Sequence, residues 1–223
     1  MAVMGRGCAW AIGSFVLGVL ALGGLGCSHD RAIAKAAVKL QNPDAAVRRA
    51  AVVALGEMRD PKATRVLVEM LNDPDTVVRA NAAAALGKVG DGSAVPALQK
   101  ALADKKHWVR WDAARALGLI GDKAGVPDLT RVATQDANAN VRRAAVEALA
   151  AIGDKSAIAA LVKAVGDNDG SVAYAASRAL EALTGKSLGA NPLQWREWWG
   201  KEGKNLAATA DAKGDSEPTA EEK

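Results

Sequence analysis

The decapeptide VRRAAVVALG at residues 47–56 returns as VRANAAAALG from Val78, VRWDAARALG from Val109, VRRAAVEALA from Val141 and VAYAASRALE from Val172. The spacings are 31, 31, 32 and 31 residues. A fixed period of that size restricts the chain to like units stacked in a row. Within a copy the apolar residues fall at i, i+3, i+4, i+7 and i+8, as at Val47, Ala50, Ala51, Ala54 and Leu55. That spacing gathers them on one side of an α-helix. A second apolar segment lies upstream: RAIAKAAVKL at 31–40, ATRVLVEML at 63–71, AVPALQKAL at 94–102 and AIAALVKAV at 157–165. One repeat is therefore a helical hairpin, helix A followed by helix B.

Turn residues punctuate the hairpins. Five positions before each repeated valine stands Asn42, Asp73, Asp104, Asp136 or Asp167, side chains that accept from the free N–H groups of a helix start and are predicted to cap helix B. Pro43 and Pro74 would then open the first turn, with Asp44 and Asp75 at the positive end of the helix dipole. Ser93 is placed to cap the third helix A, with Pro96 in its first turn. Gly90, Gly121 and Gly153 are predicted to end helix B.

The pattern D-P-D-x-x-V-R-x-x-A-A-x-A-L-G-x-x-G-D, over roughly residues 31–183, resembles the HEAT repeat in its short bacterial form. The resemblance implies an all-α, right-handed α-solenoid of five hairpins. It also implies an Asp/Arg ladder between successive repeats, carried by Arg48, Arg79, Arg110 and Arg142 and broken at Ala173. HEAT arrays serve scaffolds, transport factors, a lyase family and some DNA-repair enzymes, so the resemblance specifies the fold and leaves the function open.

Composition agrees with close helix stacking, since half of the chain is hydrophobic but only 4% is aromatic, and alanine fills most apolar positions. The net charge is +4, of which residues 27–200 hold +5 and the segment 201–223 holds −2. That bias falls short of the dense basic stripe of a nucleic-acid binder, and no nucleic-acid partner is expected.

Residues 1–26 read as an export signal, with Arg6 ahead of the glycine-broken apolar run CAWAIGSFVLGVLALGGLG. Leu25-Gly26-Cys27 resembles the lipobox of bacterial lipoproteins, although Gly24 stands where leucine is usual three residues before the cysteine. The resemblance implies cleavage before Cys27 and its acylation, hence a lipoprotein anchored in the cell envelope. The competing readings are an uncleaved N-terminal anchor and an ordinary signal peptide. Cys8 lies inside the leader, which leaves the mature chain with one cysteine and no internal disulfide.

The solenoid is expected over 27–185, followed over 186–203 by a short helix in which Asn191 caps, Pro192 opens, and Trp195, Trp198 and Trp199 share a face. Either an aromatic binding box or a helix covering the last hydrophobic groove would explain the tryptophans. The second is favoured, because a solenoid end must be closed. Residues 204–223, rich in Ala, Glu, Lys, Asp and Gly and without aromatics, are expected to be disordered.

The two histidines, His29 and His107, are too far apart for a metal cluster, and neither a phosphate-binding loop nor a serine elbow is present. No catalytic residue, metal or cofactor is expected. The anomaly lies in the third helix B, DKKHWVRWDAARALG, where Lys105, Lys106, His107 and Trp108 replace the acidic start of the first two copies. Lysines there oppose the helix dipole, and a local rule broken without structural gain points to function. At about 100° per residue from Val109, Trp111 falls near 200° and Arg115 near 240°, away from the packing side and toward solvent.

In HEAT folds that side of helix B lines the concave surface. Its column here reads Arg49, Ala80, Trp111, Arg143 and Tyr174, flanked by Val53, Ala84, Arg115, Glu147 and Arg178. Trp108, Trp111, Arg115, Arg143, Tyr174 and Arg178 combine the residue types of a binding hot spot. The competing reading is that the tryptophans fill gaps between alanine-rich helices. The expected protein is a monomeric, non-enzymatic scaffold, tethered to the envelope through Cys27, that binds another protein on its concave face. The alternatives are a HEAT-like DNA glycosylase, for which Trp108 and Asp112 stand at i and i+4, and a lyase-type HEAT protein acting on a bound ligand. Asp112 takes a position that is alanine in three copies, and pairing with a ladder arginine would explain it equally.

Overall fold

The computed structural model describes residues 28–205, and among these there is no strand. The helices are α1 (Ser28–Lys39), α2 (Ala45–Met58), α3 (Thr64–Met70), α4 (Thr76–Val89), α5 (Val95–Ala101), α6 (His107–Ile120), α7 (Val126–Gln135), α8 (Ala139–Ile152), α9 (Ile158–Ala164), α10 (Gly170–Thr184) and α11 (Pro192–Trp198). The odd-numbered helices from α1 to α9 are helices A and the even-numbered helices α2 to α10 are helices B, giving the five expected hairpins. The leader, Cys27 and the tail from residue 206 lie outside the described residues.

The motif valines and leucines make the core. Val78, Val109, Val141 and Val172, with Leu55, Leu86, Leu117, Leu149 and Leu180, are fully buried, and Leu67, Leu98, Leu129 and Leu161 meet them from helices A. Each such leucine contributes about 1.5–3 kcal/mol. Consecutive helices B touch along their lengths, whereas consecutive helices A barely meet except at α7 and α9, and there less than the helices B do. Between α2, α4, α6 and α8 the fit is a Gly–Ala approach: a Cβ added to Gly56, Gly87 or Gly118 would lie 2.7–2.8 Å from Ala85, Ala116 or Ala148 of the next helix B, whereas α8 meets α10 with Ala150 at that position. A row of hairpins spaced more tightly on one side curves toward that side, so the helices B line the inner surface.

The helix B starts differ from the sequence reading. The N-caps are Asp44, Asp75, Lys106, Asn138 and Asp169, two residues later than predicted. Asn42, Asp73, Asp104, Asp136 and Asp167 accept instead from the backbone N–H two residues on, so Pro43 and Pro74 precede the cap. Four of these five residues are engaged by the ladder. Arg48, Arg79, Arg110 and Arg142 each donate through Nε and Nη2 to Asp73, Asp104, Asp136 and Asp167 of the next repeat, over 2.6–3.2 Å. Nη1 of each arginine donates to the backbone oxygen of Asn42, Asp73, Asp104 or Asp136 in its own repeat. Burial raises the pKa of Asp73, Asp104 and Asp136, but the arginine and backbone donors outweigh it and hold all three below the usual carboxylate range.

Helix B ends as expected at Gly90, Gly121 and Gly153, all left-handed at φ 76–77°. Helix A begins with a 3₁₀ turn in repeats two to five, capped by Asp60, Asp91, Asp122 and Asp154, so Asp91 rather than Ser93 caps the third. At the C-terminal end Asn191 caps α11 and Pro192 opens it. Trp195 is fully buried, its Nε1 donates to the Gly189 carbonyl at 2.7 Å, and Trp198 is buried edge-on to it at 5.6 Å. These rings cover α9, and the helical path runs on through a π turn at Trp199–Gly203 to Lys204 and Asn205. Among the described residues nothing covers the first helix B at Ala54, which is exposed where Ala85, Ala116, Ala148 and Ala179 of later repeats are at most 3% exposed.

Candidate functional site

The inner face presents the sequence-predicted residues on three successive helices B: Trp108, Trp111 and Arg115 on α6, Arg143 on α8, and Tyr174 and Arg178 on α10. At 8–10 Å between packed helices they span roughly 20 Å. Trp108 is 40% exposed and Tyr174 63%, and neither belongs to the core. Trp111 departs from the expected solvent position. It is half-buried against the core, and the Arg115 guanidinium stacks over its ring with Cζ 4.5 Å from the centroid. That contact contributes about 0.5–1 kcal/mol and fixes both side chains as one flat surface.

Trp108 is braced by the residues just before it. His107 meets it edge-on at 4.9 Å and the Lys106 ammonium lies 5.6 Å from the ring centroid. The lysines do not occupy the first turn, as the sequence reading placed them. Lys106 is the N-cap itself, and α6 alone among the five helices B lacks a side-chain cap. Loss of a cap costs about 1 kcal/mol.

The two remaining arginines are less free than their sequence positions suggest. Arg178 donates to Glu181 at 2.7 Å, and half-buried Arg143 lies 4.0 Å from Glu147 with its Nε buried and without a hydrogen-bond partner. Both carboxylates sit on the arginine's own helix, so the face is less basic than the arginines alone imply. Asp112 is also on α6, half-buried, and among the described residues it makes no hydrogen bond or ion pair; the ladder arginines all reach other aspartates. Burial pushes its carboxyl up to about 6, against the opposing pull of Arg115.

One part of this face was read only in part from the sequence: Arg49 and Val53 stand in the counted columns, and Val77 does not. Val77 and Val53 are more than 40% exposed and line a hollow with Ala46, Arg49, Ala50 and Asn81 between α2 and α4. Val77 precedes its repeat's motif valine, as Trp108 precedes Val109, so one further column in the count would have found it. Among the described residues no group of His, Cys, Asp or Glu side chains is arranged to hold a metal ion.

Three overlapping stretches, residues 17–86, 64–138 and 126–193, match a family model described as HEAT repeats. No curated protein matches the chain. Among solved structures, the complex of CpcE and CpcF of phycocyanin lyase from Nostoc sp. PCC7120 is similar at 28% identity and a TM-score of 0.62, covering 88% of this chain and 84% of that one. A designed armadillo repeat protein in complex with the peptide (KR)4 is similar in fold at 20% identity and a TM-score of 0.56, covering 80% and 97%. An engineered protein is likewise similar in fold at 22% identity and a TM-score of 0.55, covering 80% and 95%.

Proposed function

The chain belongs to the HEAT-repeat family, and from that premise we propose that it is a monomeric, non-enzymatic scaffold that binds another protein across the inner face of α6, α8 and α10. In this reading it is exported and held at the cell envelope by lipid on Cys27. Among the described residues no helix is long and apolar enough to cross a membrane.

The observation that carries the binding role is the composition of α6. This helix lacks the side-chain cap its siblings have and holds a half-buried, unpaired carboxylate, and it is the helix that presents Trp108 and the Trp111–Arg115 stack. Local instability at a surface rich in tryptophan and arginine fits a site shaped by binding rather than folding. Affinity isolation from the native envelope, comparing the parent chain with Trp111→Ala/Arg115→Ala, tests it. A partner retained by the parent and lost from the variant is the expected result. Because Trp111 is half-buried against the core, the variant melts lower, and far-UV circular dichroism matching the parent's shows that it is still folded at the assay temperature. Equal retention by both would move the working surface elsewhere. For the tether, Cys27→Ser should release the protein from the membrane fraction, whereas membrane recovery without incorporated lipid label would favour a plain anchor.

A lyase-type HEAT protein acting on a bound ligand is the second reading, supported by the likeness to the CpcE–CpcF complex. Titration with a free bilin, read by its visible absorption, tests it. An unchanged spectrum leaves the scaffold.

A further inference from the structure

The outer face of α1 has no part in the inner surface, and among the described residues nothing packs on it. Ile33, Ala36 and Leu40 turn to the core, while Arg31, Ala34, Lys35, Val38 and Lys39 are exposed, Val38 at 65%. The one acid of this helix, Asp30, is matched by Lys62 at 2.6 Å. Among the described residues Arg31, Lys35 and Lys39 have no carboxylate partner, so the face carries three uncompensated cations beside one exposed valine. Helix α1 also begins at Ser28, the residue that follows Cys27, so no linker separates this face from the cysteine.

We propose that the outer face of α1 is a contact for an anionic lipid surface, through which the solenoid lies against the membrane instead of swinging from its anchor. The proposal rests on the reading of Cys27 as the lipid attachment point. Charge complementarity selects lipid phosphates as the occupant: three cations spaced four residues apart line one side of α1, and Val38 can enter the headgroup layer between them. A basic face joined to an acyl chain is the two-signal arrangement that makes membrane attachment firm.

The test keeps the face and simplifies the anchor. The chain from residue 27 onward has one thiol, Cys27, which can be alkylated with a single myristoyl chain. Such a chain alone gives weak, reversible binding of roughly 10⁴ M⁻¹. Partition onto vesicles of phosphatidylcholine with phosphatidylglycerol should exceed partition onto phosphatidylcholine alone. Each cation contributes about fivefold, so on the order of 100-fold for the three.

The gain should vanish in high salt and in Arg31→Gln/Lys35→Gln/Lys39→Gln, whose far-UV circular dichroism should match the parent's. Equal partition on the two vesicle types, or a phosphatidylglycerol preference that survives the triple substitution, would overturn the proposal. The salt comparison on the parent chain decides the matter even if the triple variant misfolds. Because the lipid is attached chemically, a negative result here is separate from failure of acylation in the cell, which Cys27→Ser with lipid labelling reports.

Discussion

Asp112→Ala should make the protein more stable at neutral pH, although it removes a charged side chain from a partly exposed helix. Repeats one, four and five already hold alanine at this position, so the substitution introduces nothing foreign to the array. The Asp112 carboxyl moves from 3.8 to about 6 on folding. The native state therefore binds this proton more tightly than the unfolded chain, and the residue costs stability as pH rises from about 4 through 6. At about 1.4 kcal/mol per pKa unit the ceiling is about 3 kcal/mol, and access of water to the carboxylate reduces it to about 1–2. For an ordered region of this size that corresponds to roughly 2–8 °C in melting temperature. Thermal melts of both proteins from pH 3 to 8 should converge at the acid end, separate between about pH 4 and 6 and stay apart above that, with the alanine variant higher. A difference that does not change with pH would be a packing effect. A less stable variant at pH 8 would mean that Asp112 is held by a partner in its charged form, and either result would refute the reasoning.

The ladder gives the opposite pH dependence. Asp104 lies below its ordinary pKa, so its contribution is present above pH 4 and is lost as pH falls through the native value. Arg79→Ala should cost about 3 kcal/mol in urea unfolding at pH 7 and flatten that acid limb, since it leaves Asp104 without its bidentate donor. Gly87→Val forces side-chain carbon into a Cα already 2.8 Å from the built Cβ, and should cost about 1–3 kcal/mol by the same measurement. Trp195→Ala should cost about 3–5 kcal/mol and expose the last hairpin, detectable as binding of a hydrophobic dye; no change would show that α11 does not close the array.

The hairpins were legible because the motif valine and leucine recur at a constant period and the glycines after helix B have one conformational use. The cap was misplaced because the segment D-P-D offers two good acceptors two residues apart. Only the long-range pull of the preceding arginine shows that the first of them is taken. The close approach at Gly56, Gly87 and Gly118 was invisible for a related reason: glycine within a helix reads as a weakness until the neighbouring alanine is in place. At the inner face, periodicity gave the direction of each side chain but not its neighbours. Hence the Arg115 stack on Trp111 and the carboxylates beside Arg143 and Arg178 emerged only from the fold.

The ladder also bears on how long such a chain can be. Each interior repeat brings one socket, its aspartate, and one plug, its arginine, while the first brings the uncharged Asn42 in place of a socket and the last brings Ala173 in place of a plug. Excising residues 73–103 as a block would leave Arg48 facing Asp104, the same fit as before, and duplicating that block would add one matched pair. Neither event strands a buried ion. The row can therefore lengthen or shorten by whole units during evolution without passing through a poorly folded intermediate, while its two blank ends mark where the series stops.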